Sequence, residues 1–311
     1  MPTFRQEAGT RLTDKVAIVT GAGRGLGFAY ASALTAAGAA VVINDIDPDL
    51  AADAADEIRD QGGIVETHVG RIGRADTADA LIRTALDEFG HFDIMVTNAG
   101  VIRDRVLWKM SDEDFDEVVE VHLRGTFTCA RSAAVHFREA GRGGRLILVG
   151  SPAGQHGNFG QSNYAACKAG ITAMARTWAT ELRRSGVTVN CIIPTAATEM
   201  TKTIPAFASH IESLEEDGTP LPHWLRRDHA MGSVDDVASL VVFLASDASA
   251  GITGQTIGLG GDRLALWSYP QEVATEFREG GWDADEIAAE FARHLGNMSQ
   301  PFGISMPEPK T

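Results

Sequence analysis

The chain has 311 residues, a formal net charge of −15, and 44% hydrophobic and 22% charged residues. This balance excludes a disordered chain and supplies apolar material for one sizeable core. The acidic surface argues against nucleic-acid binding, and no apolar run reaches the about 20 residues that span a bilayer. The N-terminus lacks a secretory signal, so we expect a cytoplasmic protein. Three widely spaced cysteines fit buried thiols rather than disulfides or a metal site.

From residue 14 onward, short β-branched segments alternate with Ala-rich segments of helical period. The alternation predicts right-handed β-α-β units and a parallel sheet covered on both faces. We therefore predict an α/β fold of the Rossmann type over residues 14–263, with a doubly wound seven-stranded parallel sheet and helices on both faces. The predicted strands are Val16–Thr20, Ala40–Asp45, Ile64–Thr67, Phe92–Thr97, Arg145–Gly150, Val187–Ile193 and Gln255–Leu259.

Two segments depart from this alternation. Residues 196–232 contain three prolines and two aromatic side chains, and so long a connection is typical of a substrate loop or lid. Residues 264–311 are predicted to form a helical C-terminal extension. Asp283 and Glu286 have capping-box spacing there, and Ile287, Phe291 and Leu295 share one helix face. We expect that face to pack on the same domain or on a partner subunit.

The first predicted strand leads through a glycine-rich turn into a predicted helix. Glycines allow a tight turn, and backbone N–H groups at a helix N-terminus can then cradle a pyrophosphate. Glycine turns also occur in plain loops, but the strand before this turn and the helix after it favour a dinucleotide site. The predicted cofactor-binding residues of the turn are Gly21, Arg24, Gly25, Leu26 and Gly27.

Asp45, at the end of the second predicted strand, bears on the choice of cofactor. A carboxylate there can accept hydrogen bonds from both ribose hydroxyls of NAD, and it repels the 2′-phosphate of NADP. Arg24 favours the opposite choice, because a guanidinium in the turn can pair with that phosphate. Asp45 is directed at the position that the phosphate would occupy, so we predict NAD as the cofactor.

Tyr164 and Lys168 lie four residues apart in a predicted helix, which places both side chains on one helix face. A nearby ammonium favours the phenolate that proton transfer requires. Ser151 directly follows the fifth predicted strand, where ligands bind in doubly wound sheets, and its hydroxyl can stabilise charge on a substrate oxygen. The pair alone would often be a packed ring and a solvated amine. The glycine turn, Asp45 and the serine, in this order, favour catalysis.

Together these segments resemble the motif set of the short-chain dehydrogenase/reductase family over about residues 14–262. The motifs are Thr20–Gly27, Asn98–Gly100, Ser151 and Tyr164–Lys168. The resemblance implies that Asn98, Ala99 and Gly100 line the adenosine and ribose side of the cofactor. It implies that Lys168 also holds the nicotinamide ribose, and that the segment from Pro194 to Thr198 covers the nicotinamide carboxamide.

Five further segments, and the extension with Trp267 and the predicted helix Asp283–Leu295, are similar to the dehydrogenase module of multifunctional enzyme type 2. The segments are Asn44–Ile46, Gly100–Arg105, Ser111–Phe115, Val121–Gly125 and Gly157–Tyr164. This resemblance implies a (3R)-hydroxyacyl-CoA dehydrogenase that also oxidises 17β-hydroxysteroids, acting in lipid or sterol breakdown. It also implies a homo-oligomer, which we expect to be a tetramer.

Three positions differ from the wider family's pattern. His122 stands where most members have an asparagine that holds a water in a proton relay. Either His122 substitutes in that relay, or the relay runs otherwise, or His122 is a core histidine. Gly70 stands near the position at which many members have an aspartate that contacts the adenine. The segment from Pro194 to Thr198 lacks the usual glycine after proline, which leaves the carboxamide contact of Thr198 open.

We therefore expect an NAD-dependent oxidoreductase that transfers a hydride between nicotinamide and a secondary alcohol or ketone. The predicted substrate is a lipid-like small molecule, a 3-hydroxyacyl-CoA or a 17β-hydroxysteroid. The alternatives are a reductase of another ketone or of an acyl-carrier-protein thioester, and a non-catalytic dinucleotide sensor. Candidate apolar walls are Phe159, Met200, Phe207, Trp224 and Trp267, and candidate cations for CoA are Arg103, Arg105, Arg226 and Arg227.

Overall fold

A single sheet of eight strands organises the chain in the computed structural model, which describes residues 9–202 and 205–304. The strands are β1 (Val16–Thr20), β2 (Ala40–Asp45), β3 (Ile64–Val69), β4 (Ile94–Thr97), β5 (Gly144–Val149), β6 (Val187–Pro194), β7 (Thr256–Gly260) and β8 (Arg263–Leu266). They lie in the order β3-β2-β1-β4-β5-β6-β7-β8. The predicted Rossmann-type α/β fold is confirmed, with a correction to the number of strands given below.

Helices cover both faces of this sheet. In the described part of the chain they are α1 (Gly25–Ala36), α2 (Pro48–Asp60), α3 (Ala75–Phe89), α4 (Asp112–Val118), α5 (Gly125–Ala140), α6 (Ala153–His156), α7 (Ser162–Leu182), α8 (Glu199–Lys202), α9 (Pro205–Asp217), α10 (His223–Asp228), α11 (Val234–Ala245) and α12 (Ala284–Arg293). A π-helical stretch, Val119–Arg124, joins α4 to α5. None of the described helices has the length and hydrophobicity to cross a membrane.

Alternate residues of each strand supply two cores, one on each face of the sheet. Ala17 and Val19 of β1 face the core formed with α1, α2 and α11. Val16 and Ile18 face the opposite core, formed with α3, α5 and α7, where Phe137 stacks on Phe92 with ring centroids 5.0 Å apart. This two-residue period is the direct consequence of extended backbone. The buried cores fix the positions of the strand ends that carry the polar residues of the site.

The strand order reverses between β1 and β4. β1 pairs in parallel with β2 on one side and with β4 on the other. The connections from these two strands therefore run to opposite faces, and a crevice opens outside their carboxyl ends. The glycine turn after β1 and the segment after β4 both open into this crevice.

The prediction of seven parallel strands is wrong by one strand. β8 pairs antiparallel with β7, with Gly260 opposite Arg263, through a two-residue turn in which Gly261 has φ +50°. β8 spans four residues at the sheet edge, and its Leu264 and Leu266 are 69% and 68% exposed. It therefore lacks the buried apolar run by which the other strands are detectable in the sequence. The strand also crosses the predicted domain boundary at residue 263.

The C-terminal extension contains α12, and its predicted capping box is present. Asp283 accepts a hydrogen bond from the Glu286 N–H at 2.8 Å, and Glu286 accepts one from the Asp283 N–H at 3.0 Å. α12 buries none of its residues within the described chain, and Ile287 and Phe291 are 45% and 52% exposed. Burial of that face by a partner subunit stays a prediction, as does the division at 14–263, 196–232 and 264–311. Residues 305–311 lie outside the described residues.

Candidate active site

A cleft of about 1790 Å³ lies outside the carboxyl ends of the parallel strands. One end is lined by the glycine turn and Asp45, the middle by Ser151 and Tyr164, and the far end by Arg263 and other residues of β8. Every predicted catalytic and cofactor-binding residue lines this single cleft. The site is thus assembled from segments that lie more than 100 residues apart in the sequence.

The glycine turn has the geometry that a dinucleotide requires. Gly21 and Gly25 adopt φ +62° and +59°, and a Cβ on Gly27 would lie 2.0 Å from the carbonyl oxygen of Gly21. Arg24 at the N-cap of α1 gives no side-chain hydrogen bond to the helix. The N–H groups of the first turn of α1, including that of Leu26, therefore remain available to a phosphate.

Asp45 is positioned by the turn that it faces. Its carboxylate accepts hydrogen bonds from the Gly23 N–H at 3.0 Å and from the Asp47 N–H at 3.2 Å. Gly70, where we noted a missing aspartate, donates its N–H to the carbonyl oxygen of Asp45 at 2.9 Å. The Gly70 carbonyl oxygen accepts a hydrogen bond from the Asn44 side-chain amide at 2.9 Å, so Gly70 is bound to β2 through both of its backbone polar groups.

Asn98, Ala99 and Gly100 form the wall opposite the glycine turn. The Asn98 amide donates to the carbonyl oxygens of Thr20 and Gly21 at 3.1 and 3.0 Å, which ties β4 to the turn. A Cβ on Gly21 would lie 2.7 Å from Cα of Ala99. A Cβ on Gly100 would likewise lie 2.4 Å from Cε1 of His122, so a larger residue does not fit at position 21 or at position 100 without a shift of its neighbours.

Ser151, Tyr164 and Lys168 lie together in the middle of the cleft. Ser151 follows β5, and its hydroxyl accepts a hydrogen bond from the Ala153 N–H at 3.2 Å and lines the cleft with Tyr164. Lys168 Nζ donates to the carbonyl oxygen of Val149 at 2.7 Å and lies 5.5 Å from the Tyr164 ring centroid. α6 packs tightly on α7 here, since a Cβ on Gly154 would lie 2.8 Å from Cβ of Lys168. These contacts order both polar groups.

Burial sets the proton affinities of this group. It raises the pKa of Tyr164, and the hydrogen bond from Ser151 acts in the opposite direction. Burial also lowers the pKa of Lys168 to about 8, so the amine is still mostly protonated at pH 7. Tyr164 therefore needs further positive charge close by before it can act as a base near neutral pH.

His122 lies in the π-helical stretch, a feature that is frequent at functional sites. Its Nε2 lies 2.8 Å from the carbonyl oxygen of Val101 and 3.1 Å from the Val101 N–H nitrogen. Its Nδ1 is buried without a hydrogen-bond partner among the described residues. Burial lowers the pKa of His122 to about 3, with the Lys168 charge as a second cause. His122 is thus a buried, neutral imidazole that packs edge-on against the Tyr164 ring, with the ring centroids 5.1 Å apart. Its part in a proton relay stays a prediction.

Pro194 and Thr198 line the cleft where β6 leads into α8. The Thr198 hydroxyl accepts a hydrogen bond from the Thr201 N–H at 3.3 Å, so it is engaged within its own turn. Phe207, Leu214 and His229 of the predicted loop also line the cleft. They belong to or border a small apolar cluster separate from the two cores of the sheet.

Only some of the residues predicted as apolar walls or as cations for CoA line the cleft. Phe207 and Trp267 line the cleft, whereas Trp224 packs on the small cluster and Phe159 is 84% exposed. The side chain of Met200 lies outside the described residues. Two of the predicted cations are already paired: Arg103 with Glu117 at 2.7 Å, and Arg226 with Asp236 and Asp262 at 3.0 and 2.9 Å.

Sequence reasoning missed two parts of the site. One is Arg263 on β8, and the other is the segment 301–304, which lines the cleft. The Gly303 N–H donates to the carbonyl oxygen of His156 at 2.7 Å, and Ile304 packs on the cluster around Tyr164. Neither has a local signal, because both depend on contacts between distant segments.

Comparison with known proteins places this geometry in a family. The family model described as short chain dehydrogenase matches residues 15–208. The chain belongs to the short-chain dehydrogenase family. A crystal structure of a short chain dehydrogenase from Mycobacterium avium matches with a TM-score of 0.80 and 33% identity, covering 95% of this chain and 99% of that one.

Curated relatives are also similar. The hydroxyacyl-CoA dehydrogenase ChsB1 of Mycobacterium tuberculosis is 42% identical, over 90% of this chain and 88% of its own length. The 3-oxoacyl-[acyl-carrier-protein] reductase of Synechocystis is 40% identical, over 81% of this chain and 98% of its own length. The peroxisomal multifunctional enzyme type 2 of Mus musculus is 40% identical, over 69% of this chain but 30% of its own length.

As a member of the short-chain dehydrogenase family, the chain is an oxidoreductase that binds a nicotinamide dinucleotide. The glycine turn fits this cofactor, because its backbone N–H groups can bind a pyrophosphate and the missing Cβ atoms allow the pyrophosphate to come close to the backbone. The choice between NAD and NADP and the identity of the substrate are taken up as proposals.

Proposed function

We propose that this short-chain dehydrogenase oxidises a 3-hydroxyacyl-CoA with NAD as the hydride acceptor. The observation that carries the proposal is the placement of Ser151, Tyr164 and Lys168 in the middle of a cleft whose nucleotide end presents Asp45. A hydroxyl bound between Ser151 and Tyr164 has a proton acceptor beside it. The long cleft leaves space on the far side for an extended substrate.

The chain's own residues hold the substrate oxygen and move its proton. Bound NAD supplies the hydride acceptor and a positively charged ring. Tyr164, beside Lys168 and that positive charge, accepts the proton of the substrate hydroxyl. Ser151 donates a hydrogen bond to the same oxygen and orders it against Tyr164. Lys168 is held by the Val149 carbonyl oxygen with its ammonium 5.5 Å from the Tyr164 ring centroid, and it would also hold the hydroxyls of the nicotinamide ribose.

Asp45 supports NAD over NADP. Its carboxylate is fixed by the Gly23 and Asp47 N–H groups at the end of β2, next to the turn that would hold the pyrophosphate. A fixed carboxylate binds ribose hydroxyls and repels a 2′-phosphate. Arg24 is exposed at the same turn and is the group that would favour NADP. Asp45 is the better ordered of the two, so we assign NAD.

Relatives support the substrate class. ChsB1 is a hydroxyacyl-CoA dehydrogenase, and it aligns with nine-tenths of this chain. A CoA dehydrogenase subunit from Thauera aromatica is also similar, at 36% identity over 97% of its length. A 17β-hydroxysteroid is the second substrate that we expect from the resemblance to multifunctional enzyme type 2. We propose a lipid-like alcohol in either case.

A second candidate function is the reduction of a 3-oxoacyl thioester on acyl carrier protein. The specific observation is the Synechocystis reductase, of which this chain covers 98%. Asp45 opposes it, because biosynthetic reduction generally draws on NADPH. A non-catalytic dinucleotide sensor is opposed by the presence of Ser151 and Tyr164 in one cleft and by the ordered Lys168.

The test is NADH formation by the purified chain, followed by absorbance. The substrates are a medium-chain (3R)-3-hydroxyacyl-CoA, its (3S) epimer and a 17β-hydroxysteroid, each with NAD and with NADP. Preferred oxidation of the (3R) thioester with NAD supports the proposal. Rapid NADPH-dependent reduction of a 3-oxoacyl carrier protein, without oxidation of the CoA thioester, would replace it with the second candidate.

A further inference from the structure

Arg263 is an unpaired cation at the end of the cleft opposite to the nucleotide turn. Five cations line the cleft in the described part of the chain: Arg24, Arg71, Arg103, Lys168 and Arg263. Arg71 and Arg103 both contact Glu117, at 3.9 and 2.7 Å, and Lys168 lies buried beside Tyr164. Arg24 belongs to the glycine turn. Arg263 alone combines a position beyond the catalytic residues with a guanidinium free of ion pairs among the described residues.

The backbone of β8 directs Arg263 into the cleft. Successive side chains of a strand point to opposite faces, and Arg263, Ala265 and Trp267 line the cleft, while Leu264 and Leu266 are largely exposed. Pairing with β7 fixes this orientation, since Arg263 lies opposite Gly260. The position of Arg263 is therefore set by the sheet rather than by a loop.

Neighbouring acidic groups leave Arg263 unpaired. Asp262, its neighbour in sequence, is bound instead by Arg226 at 2.9 Å. Arg226 also binds Asp236 at 3.0 Å, so this one arginine neutralises two carboxylates. Asp228 also lines the cleft, and it forms no ion pair with Arg263 among the described residues. In a chain of net charge −15, a cation that forms no ion pair among the described residues is suited to an anionic ligand.

The distance from the catalytic group fits one part of the proposed substrate. β8 is three strands beyond β5, which is roughly 14 Å at the usual strand spacing. In a 3-hydroxyacyl-CoA whose hydroxyl is bound at Ser151, the pantetheine arm leads away from the reacting carbon and connects the thioester to the phosphates of the CoA nucleotide. Resting on the proposed function, we infer that Arg263 binds a phosphate of the CoA nucleotide and gives the enzyme its preference for CoA thioesters. A guanidinium suits this role because it can make two parallel hydrogen bonds to phosphate oxygens.

The experiment compares a 3-hydroxyacyl-CoA with the matching N-acetylcysteamine thioester, which has the same reacting group and no phosphate. Arg263→Ala should lower kcat/KM for the CoA thioester by between about 10-fold and 100-fold, mostly through KM, and leave the other thioester unchanged. Arg263→Lys should recover part of the loss. Arg142→Ala, at an exposed arginine before β5 and outside the cleft lining, is the matched control and should behave as wild type.

The outcomes separate this inference from the proposed function. If wild-type protein oxidises neither thioester, the proposed function fails. If it oxidises both but Arg263→Ala changes the two equally, or changes neither, then Arg263 does not bind the CoA phosphates and the inference is overturned. The melting temperature of Arg263→Ala should match that of wild type, because the side chain is exposed at a sheet edge.

Discussion

Acid should destabilise the native chain through His122. Burial lowers the pKa of this histidine from 6.5 to about 3, so below neutral pH the imidazole takes up a proton only when the chain unfolds. The stability that neutral His122 contributes is therefore present above its unfolded pKa of 6.5 and is lost as the pH falls toward 3. Between pH 7 and pH 5 the loss from this one group amounts to about 2 kcal/mol in the free energy of unfolding.

The variant that isolates this effect is His122→Asn, which removes the titrating ring and keeps a polar side chain. Urea unfolding of wild type and variant at pH 7 and pH 5 gives four free energies of unfolding. We expect wild type to lose about 2 kcal/mol more than the variant over this interval. His223→Asn, at an exposed histidine, is the control and should retain the acid loss of wild type.

Equal acid losses in wild type and His122→Asn would refute this reasoning. They would mean that the native state of His122 takes up a proton near its ordinary pKa, through a rearrangement that gives Nδ1 a partner. Such a result would also favour the histidine as a member of a proton relay, because a relay residue must exchange its proton in the native state.

Three further predictions concern the cofactor site and assembly. Asp45→Ser should raise the ratio of NADP to NAD use about 100-fold in initial-rate assays, because it removes a repulsion of about 3 kcal/mol. Unchanged preference would contradict our assignment. Gly27→Ala should abolish NAD binding in a fluorescence titration, since its Cβ would lie 2.0 Å from the Gly21 carbonyl oxygen, whereas Gly9→Ala, in open space, should bind normally. Light scattering should give a tetramer, and a monomer at micromolar concentration would refute this prediction.

The fold was largely predictable because it depends on local periodicity. Strands β1 to β7 are short segments rich in β-branched residues that alternate with helical segments along most of the chain, and the central strands appear in the sequence as continuous apolar runs because they are buried on both faces. The glycine turn and the four-residue spacing of Tyr164 and Lys168 are local features that can be found in the sequence. Once the strand order is assumed, the turn and this pair of side chains are expected to lie in the same cleft. β8 has only four residues and no buried apolar run, since both of its leucines are exposed, and the eighth strand was missed for that reason.

The contacts that decide specificity were much less predictable. Arg103 looked available for an anion, but it is bound by Glu117, which lies 14 residues away on α4. Arg226 is bound by acidic groups from two other segments, and this leaves Arg263 free. The return of segment 301–304 to the cleft joins residues about 140 positions apart. Such pairings depend on tertiary packing, which neither periodicity nor a single motif reports.

The measurement that tests the central claim most directly is turnover by Tyr164→Phe. This variant keeps the buried ring next to His122 and Lys168 and removes only the hydroxyl that is proposed to accept the proton. We predict that NADH formation falls by at least about 100-fold, while the dissociation constant for NAD stays within about twofold of wild type. Turnover near the wild-type rate, with NAD bound normally, would show that Tyr164 is not the proton acceptor and would contradict the account.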